Sequence, residues 1–200
     1  MQKTLNWIIV ILVVVLLSFL GYYFYQNRSS HIETEKKFEK DEKESSFPKL
    51  NTEFNFKTLK NLNFKIKTSK KKIEIDELKN KLVFLKIFGW DCDFCKKEIP
   101  ELIRLKRDLG DTFDVIAIEA QQHSKEESEK YIKEYGVNYH IVDGTEQTRF
   151  YDYLKIHYGW SGVIPLTIIL GKGGNILAYE VGAKSYTLAE LMKASILRDK

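Results

Sequence analysis

Cys92 and Cys95 are the only two cysteines in this 200-residue chain, and just two residues separate them. A framework of structural disulfides normally needs more cysteines, spaced so that they join distant parts of a chain. A disulfide that closes so short a loop stabilises a fold little, because it removes little entropy from the unfolded chain. We therefore interpret the pair as a reactive site whose thiolate form is a nucleophile.

The pair lies where a predicted buried strand meets a predicted helix. Residues 82–88 are apolar apart from Lys86, which is typical of a strand buried on both faces. A helix is predicted from about Cys92 to Leu109. Cys92 would then lie in the first turn, where free amide groups and the positive end of the helix dipole stabilise a thiolate. Cys95, one turn further and shielded, could resolve a mixed disulfide formed by Cys92.

Two carboxylates flank the first cysteine, since Asp91 precedes Cys92 and Asp93 follows it. A negative charge disfavours a second anion nearby, so both should raise the pKa of the Cys92 thiol. A less stabilised thiolate means a less stabilised reduced form, and hence a more reducing couple. The flanking charges therefore favour a reductase of disulfides. A disulfide-forming oxidase or isomerase is the alternative.

Two cysteines could also form half of a metal site, but a structural zinc site needs about four ligands. The chain has four histidines, at positions 31, 123, 140 and 157, and they show no ligand spacing. We therefore predict neither a metal nor another cofactor. His123 and His157 are interpreted as ordinary surface or helix residues.

An apolar segment near the N-terminus predicts a membrane anchor. The run from Trp7 to Tyr25 would form a helix about 28 Å long, which spans a hydrocarbon core. A cleaved signal peptide is the alternative, but the small-x-small cleavage site that it requires fits this segment poorly. Basic residues lie on both sides of the run, so local charge favours neither orientation.

Three regions follow from these patterns: an anchor at 1–26, a charged flexible stalk at 27–47, and one folded domain at 48–200. The composition is that of a globular domain, with 44% hydrophobic and 30% charged residues. The net charge of +4 is small, and basic residues alternate with acidic ones. No basic surface for nucleic acid is indicated.

The domain alternates predicted strands with predicted helices. Alternating or continuous apolar residues predict strands at 54–56, 64–66, 82–88, 113–118, 137–142, 166–170 and 175–181. Capping boxes at Ser124 and Thr187 each predict the start of a helix, and Asp143 or Thr145 is expected to cap another. The order predicts an α/β fold whose sheet is covered by helices on both faces.

The segment from Gly89 to Pro100 resembles the thioredoxin superfamily, and more closely its membrane-tethered, extracytoplasmic branch of the ResA, TlpA and CcmG type. Its Cys-x-x-Cys-Lys-Lys-Glu-Ile-Pro is similar to that branch's Cys-x-x-Cys-Arg-Lys-Glu-Met-Pro. The segment from Tyr158 to Thr167 resembles the loop that carries the family's cis-proline. The likeness covers about residues 50–197 and implies a thioredoxin-like fold, with a central mixed sheet flanked by helices and an N-terminal β-hairpin extension.

The resemblance implies roles for individual residues. Cys92 and Cys95 form the redox disulfide, and Glu98 is a proton acceptor close to them. The bond between Ile164 and Pro165 is predicted to be cis, and this loop presents a backbone edge to the substrate. Trp90 is also expected to bind substrate together with Ile164 and Pro165. A packing role is the alternative for Trp90.

The chain departs from the family near the cysteine pair. Asp91 stands where relatives commonly have Trp, and Lys86 stands where they carry Asn or a buried Asp. We count Lys86, Asp91 and Asp93 among the residues that tune the pKa values of the pair. The alternative for Lys86 is an ammonium group that points out at the end of the sheet.

The resemblance further implies a thiol-disulfide oxidoreductase at the bacterial cytoplasmic membrane, single-pass, with its domain on the periplasmic, extracytoplasmic side. Its expected substrates are disulfide-containing extracytoplasmic proteins such as apocytochrome c, which would place it in cytochrome c biogenesis. Electrons would come from a membrane thiol carrier of the DsbD or CcdA kind. A non-catalytic binding module that uses the fold as a docking surface is the other alternative.

Overall fold

The computed structural model describes residues 16–18 and 48–198. The chain divides into two units, Met1–Ser46 and Phe47–Lys200. In the first unit only residues 16–18 are described, and they are helical. The predicted anchor and stalk therefore lie almost wholly outside the described residues. Within the described ranges, no helix is both long and apolar enough to cross a membrane.

The second unit alternates strands and helices along the chain. Its strands are β1 (Glu53–Lys57), β2 (Asn63–Ser69), β3 (Lys72–Ile75), β4 (Leu82–Phe88), β5 (Phe113–Glu119), β6 (His140–Asp143), β7 (Leu166–Leu170) and β8 (Ile176–Val181). Its α-helices are α1 (Asp93–Leu109), α2 (Lys125–Tyr135), α3 (Thr148–Tyr158) and α4 (Leu188–Arg198).

Five strands form a mixed sheet in the order β6-β5-β4-β7-β8. The central strand β4 is parallel to β5 and antiparallel to β7. Parallel neighbours need crossover connections, and α1 and α2 provide them between β4, β5 and β6. The predicted α/β fold with a mixed sheet is confirmed.

Strand β4 sends alternate side chains into two hydrophobic clusters on opposite faces of the sheet. Val83, Leu85 and Ile87 join a cluster that also contains residues of α3 and of the N-terminal strands. Phe84 and Phe88 join the other cluster, with residues of α1 and α4. Lys86 therefore stands on the α1 side, between two phenylalanines of the central strand.

The strands β1, β2 and β3 form a separate antiparallel sheet. The predicted hairpin is confirmed, because Phe54 pairs with Ile66 and Phe56 pairs with Phe64. Strand β3 was not predicted, since its four residues directly follow three charged or polar ones and offer only two apolar positions. The sheet nevertheless buries both of those isoleucines.

Helix starts follow the predicted capping boxes in two cases. The hydroxyl of Ser124 accepts the backbone N–H of Glu127, whose carboxylate returns the contact at the start of α2. Thr187 and Glu190 exchange the same two hydrogen bonds before α4. These reciprocal bonds satisfy amide groups that a helix start leaves without partners.

The predicted cap of the third helix is wrong in its position. Asp143 caps only a short 3-10 turn, Gly144–Glu146, through a hydrogen bond from the N–H of Thr145. Helix α3 begins afterwards at Thr148, and Gln147 caps it without a side-chain hydrogen bond. Asp143 and Thr145 therefore stabilise the 3-10 turn and do not cap α3.

The N-terminal sheet packs on α3 through aromatic rings. Phe56 is fully buried, and its ring centroid lies 4.9 Å from that of Phe150 in an edge-to-face contact. Phe56→Ala removes this burial and leaves a cavity, so we expect the free energy of unfolding to fall by about 3–5 kcal/mol. Ile156→Ala, on the exposed side of α3, should change it by about 0.5 kcal/mol at most. Urea denaturation measures both, and equal losses would contradict this packing.

Candidate active site

Cys92 and Cys95 are joined in a disulfide at the start of α1, with their Cα atoms 5.2 Å apart. Cys92 is the N-cap of the helix and not a residue of its first turn, and its sulfur accepts the backbone N–H of Cys95 at 3.2 Å. Cys92 is half-buried, whereas Cys95 is only 2% exposed. The first sulfur is therefore open to a partner and the second is covered.

One turn beyond Cys95, the carboxylate of Glu98 lies between two ammonium groups. Lys86 donates a hydrogen bond to one of its oxygens, and Lys184 donates to the other at 3.0 Å. Lys86 also donates to the hydroxyl of the buried Thr167 on β7. The side chain of Lys86 is 1% exposed, that of Lys184 is 4% exposed and that of Glu98 is 13% exposed. The cluster is therefore almost fully buried.

The interpretation of Lys86 as an ammonium group that points out at the sheet end is wrong, because the side chain is fully buried. Burial lowers the pKa of Lys86 to about 8; the negative charge of Glu98 opposes this shift and the positive charge of Lys184 adds to it. Both oxygens of Glu98 are engaged by ammonium groups. Two ammonium groups close to Glu98 favour its ionised form, so they oppose proton transfer to it.

Lys184 is a site residue that the sequence analysis missed. It reaches Glu98 from 86 positions along the chain, and it also donates to the carbonyl of Gly182 at 3.1 Å. No local pattern marks it, since it follows the last strand in a segment without apolar periodicity. Only the fold brings it to α1.

Trp90 is a packing residue, and its expected contact with substrate is corrected. Its side chain is fully buried, and its indole N–H donates to the hydroxyl of Ser128 at 3.1 Å. The ring stacks on Tyr131 and meets Phe88 edge-on. A substrate at the surface cannot reach a side chain that is covered on all sides.

Asp91 and Asp93 are both exposed beside Cys92. The loop after β5 holds Asp91: its backbone N–H donates to Gln121 at 2.8 Å, and its carboxylate lies 3.0 Å from Nε2 of His123. The interpretation of His123 as an ordinary surface residue is wrong, because its side chain is only 14% exposed and contacts two carboxylates.

His157 also has a defined contact, with its Nε2 atom 2.9 Å from the carbonyl oxygen of Pro48. Its ring packs against that of Tyr153 on the same helix. His157 therefore helps to hold the start of the domain on α3, in agreement with its interpretation as a helix residue.

The peptide bond between Ile164 and Pro165 is cis, as predicted. Trp160 shapes this loop by donating its indole N–H to the carbonyl of Val163 at 2.9 Å. Ile164 packs against the same hydrophobic cluster as Cys92 and Cys95. The predicted loop and the cysteine pair therefore border the same hydrophobic cluster.

A cavity of about 350 Å³ opens between the start of α1 and the segment that follows β8. Its lining includes Phe94, Lys97, Glu98, Lys184 and Tyr186. Phe94, which stands between the two cysteines, is 53% exposed. The cavity therefore adjoins both the redox pair and the buried ion-paired cluster.

The described residues contain no group of three or more His, Cys, Asp or Glu side chains that could hold a metal ion. Asp91, His123 and Glu119 lie together, but their contacts are with one another. Sulfur chemistry at the cysteine pair is what this arrangement supports.

Residues 56–179, more than half of the chain, match the AhpC/TSA family. A segment is 35% identical over 81 residues to the thiol-disulfide oxidoreductase ResA of Bacillus subtilis strain 168, a match that covers 40% of this chain and 45% of that protein. The match thus spans less than half the length of that relative.

Solved structures share the fold at low sequence identity. A DsbF homologue from Corynebacterium diphtheriae is 21% identical with a TM-score of 0.55, covering 72% of this chain and 83% of that one. The thioredoxin domain of a thiol-disulfide oxidoreductase from Bacteroides vulgatus is 19% identical with a TM-score of 0.54, covering 74% and 96%. These likenesses show the thioredoxin-like fold.

Because its pKa is lowered by burial, Lys86 should make the stability of the fold depend on pH. Its pKa is about 8 in the folded protein, against about 10.4 for an unfolded chain. Between these values only the unfolded chain keeps the proton, so the free energy of unfolding rises with pH. We compare the free energy of unfolding of the oxidised wild type with that of Lys86→Met. The difference, wild type minus variant, should rise by roughly 2–3 kcal/mol from about pH 7.5 to about pH 10.

Urea denaturation at each pH measures this difference, because titrating groups that do not interact with Lys86 are common to both proteins and cancel. Lys130→Met, which removes an exposed lysine of α2, is the matched control and should follow the wild type at every pH. A difference between wild type and Lys86→Met that is flat or falls with pH would contradict the burial of this ammonium group.

Proposed function

Since this chain belongs to the AhpC/TSA family of thioredoxin-like proteins, we propose that it is a thiol-disulfide oxidoreductase that reduces protein disulfides outside the cytoplasm. The observation that carries the proposal is the Cys92–Cys95 disulfide at the start of α1, with an accessible first sulfur and a covered second one. This asymmetry suits a nucleophile followed by a resolving thiol.

The reaction proceeds through two exchanges. In the reduced protein, the Cys92 thiolate attacks one sulfur of a substrate disulfide, and the other substrate sulfur leaves as a thiolate. Cys95, once deprotonated, attacks the Cys92 sulfur and releases the second substrate thiolate. The substrate gains two electrons, and the protein ends with the Cys92–Cys95 disulfide. A donor dithiol must then reduce the pair again.

The buried cluster supports the second exchange by proton handling. Cys95 belongs to the same hydrophobic cluster as Phe84 and Phe88, the residues on either side of Lys86 on that face of β4. The pKa of Lys86, lowered by burial to about 8, lets it exchange a proton near neutral pH. We assign Lys86 and Glu98 together to proton exchange with the covered Cys95 thiol, in place of Glu98 alone.

The direction of the chemistry depends on opposing charges. The carboxylates of Asp91 and Asp93 adjoin Cys92 on both sides and disfavour its thiolate, which makes the couple more reducing. Glu98 with two protonated lysines carries a net positive charge, which acts the other way. We infer a reductase because the attacking sulfur is the one between the carboxylates. The buried positive charge is the observation that favours an oxidase or isomerase as the second candidate.

Substrate polypeptide would lie along the loop at Ile164 and Pro165, with a side chain entering the cavity at Phe94. The resemblance to the ResA type supports disulfides of extracytoplasmic proteins, such as apocytochrome c, as substrates. The donor would be a membrane thiol carrier of the DsbD or CcdA kind. The apolar run from Trp7 to Tyr25 supports a single-pass anchor in the bacterial cytoplasmic membrane, with the domain on the extracytoplasmic side.

Serine variants test the assignment of the two sulfurs. Cys92→Ser should lose all reduction of insulin disulfides, because the attacking thiolate is gone. Cys95→Ser should still attack but accumulate a mixed disulfide, which mass spectrometry detects on Cys92. Wild-type reduction by Cys92→Ser would contradict the mechanism, whereas a wild-type protein that reduces no insulin would favour a non-catalytic binding module.

A fusion protein tests the orientation. Alkaline phosphatase joined after Lys200 should be active, because its disulfides form only outside the cytoplasm. The same fusion without residues 1–26 should be inactive. A well-expressed but inactive full-length fusion would place the domain on the cytoplasmic side.

A further inference from the structure

A histidine joins two carboxylates beside the redox pair. The Nε2 atom of His123 lies 3.0 Å from Oδ2 of Asp91, and its Nδ1 atom lies 3.3 Å from Oε1 of Glu119. The exposed fractions of the three side chains are 60% for Asp91, 14% for His123 and 4% for Glu119. The imidazole ring therefore connects a buried carboxylate to the exposed one that precedes Cys92.

Glu119 fixes the ring and the loop that carries it. This residue ends β5, and its carboxylate accepts the backbone N–H groups of Gln121 at 2.9 Å and His123 at 3.1 Å. Backbone and ring of His123 are thus both held by one carboxylate at the end of a central strand. The position of the ring is set by the sheet and does not depend on Asp91.

The same loop holds the main chain of Asp91. Its N–H donates to Oε1 of Gln121 at 2.8 Å. The side chain of Gln121 occupies space that a Cβ on Gly89 would fill, so a larger residue there would displace this amide. Gln121 and His123 therefore fix the backbone and the carboxylate of the residue immediately before the nucleophile.

The charge of the His123 ring decides whether it donates a hydrogen bond to one carboxylate or to both. A neutral imidazole has one N–H, so it donates to one carboxylate and turns a lone pair toward the other; an imidazolium donates to both. Two further groups face the ring from α2. Tyr131 meets it edge-on with ring centroids 5.7 Å apart, and its hydroxyl donates to Asp91 at 3.4 Å. Glu127 adds a negative charge nearby.

We propose that His123 is a positioning residue that holds Asp91 beside Cys92 and, by its own charge, sets how strongly that carboxylate disfavours the Cys92 thiolate. The inference rests on the proposed function only in requiring that the pair cycles between dithiol and disulfide. Protonated His123 offsets the charge of Asp91, which stabilises the thiolate and makes the couple more oxidising. Loss of that proton makes the couple more reducing. Histidine is the side chain that ordinarily changes charge between pH 5 and 8.

The test is a double-mutant cycle on the redox equilibrium. Wild type, His123→Gln, Asp91→Asn and the double variant are equilibrated with mixtures of reduced and oxidised dithiothreitol between pH 5 and pH 9. At the lowest pH at which the Cys92 thiolate is populated, His123→Gln should lower the equilibrium constant for reduction of the pair by about two- to fivefold, the range of a partly exposed ion pair. The difference should shrink as the pH rises further, and it should be clearly smaller in the Asp91→Asn background.

His157→Gln is the matched control, because that histidine lies on α3 and contacts Pro48. It should leave the equilibrium constant unchanged. An effect of His123→Gln that is absent at every pH, or that persists undiminished without Asp91, overturns the proposal. If His123→Gln does not fold, the deciding quantity is the equilibrium constant for reduction of Asp91→Asn divided by that of the wild type. This ratio should rise with pH. A ratio that stays constant refutes the proposal. A wild-type pair that takes up no electrons in any mixture refutes the proposed function instead.

Discussion

An ammonium group buried in a protein interior needs a counter-charge and hydrogen-bond acceptors, because the low dielectric makes an isolated charge very costly. Lys86, in the middle of the central strand, imposes this requirement on its surroundings. Glu98 on the cysteine helix, Thr167 on the strand after the cis-proline and Lys184 beyond the last strand all meet in its cluster. The parts of the chain that surround the redox pair are therefore joined by one ion-paired group.

In the proposed mechanism, this cluster and the acidic flanks act on different sulfurs. Asp91 and Asp93 adjoin the accessible Cys92 from solvent, where screening weakens each charge. The lysines and Glu98 act from the interior, on the side of the covered Cys95, where charge is screened much less. We therefore infer that the proton of Lys86 affects both the resolving step and the potential, because its loss removes the net positive charge of the cluster.

The backbone of the fold was largely predictable from sequence. Apolar periodicity located the hairpin and the strands of the main sheet, and capping boxes located two helix starts. The cysteine pair and the cis bond at Pro165 followed from motifs that are local in the chain. Strand β3 escaped prediction because four residues with two apolar positions give too short a periodic signal.

Contacts between distant side chains were beyond the reach of the sequence. Lys184 and Glu98 are 86 positions apart, and their meeting depends on the path of the chain after β8. His123 carries no spacing signal, because its partners belong to three different segments. Trp90 stands beside the motif, yet the packing of α2 over its ring decides that it is buried. Such side-chain partners are determined by register and loop path, which local patterns do not encode.

The reduction potential of the wild-type Cys92–Cys95 couple tests the central claim most directly, since it states which way electrons flow. Equilibration of the full-length protein with dithiothreitol and glutathione mixtures at pH 7, followed by alkylation of free thiols, gives this value. A reductase predicts a potential below about −230 mV, whereas a value near −120 mV, typical of a strong disulfide-forming oxidant, would contradict the account.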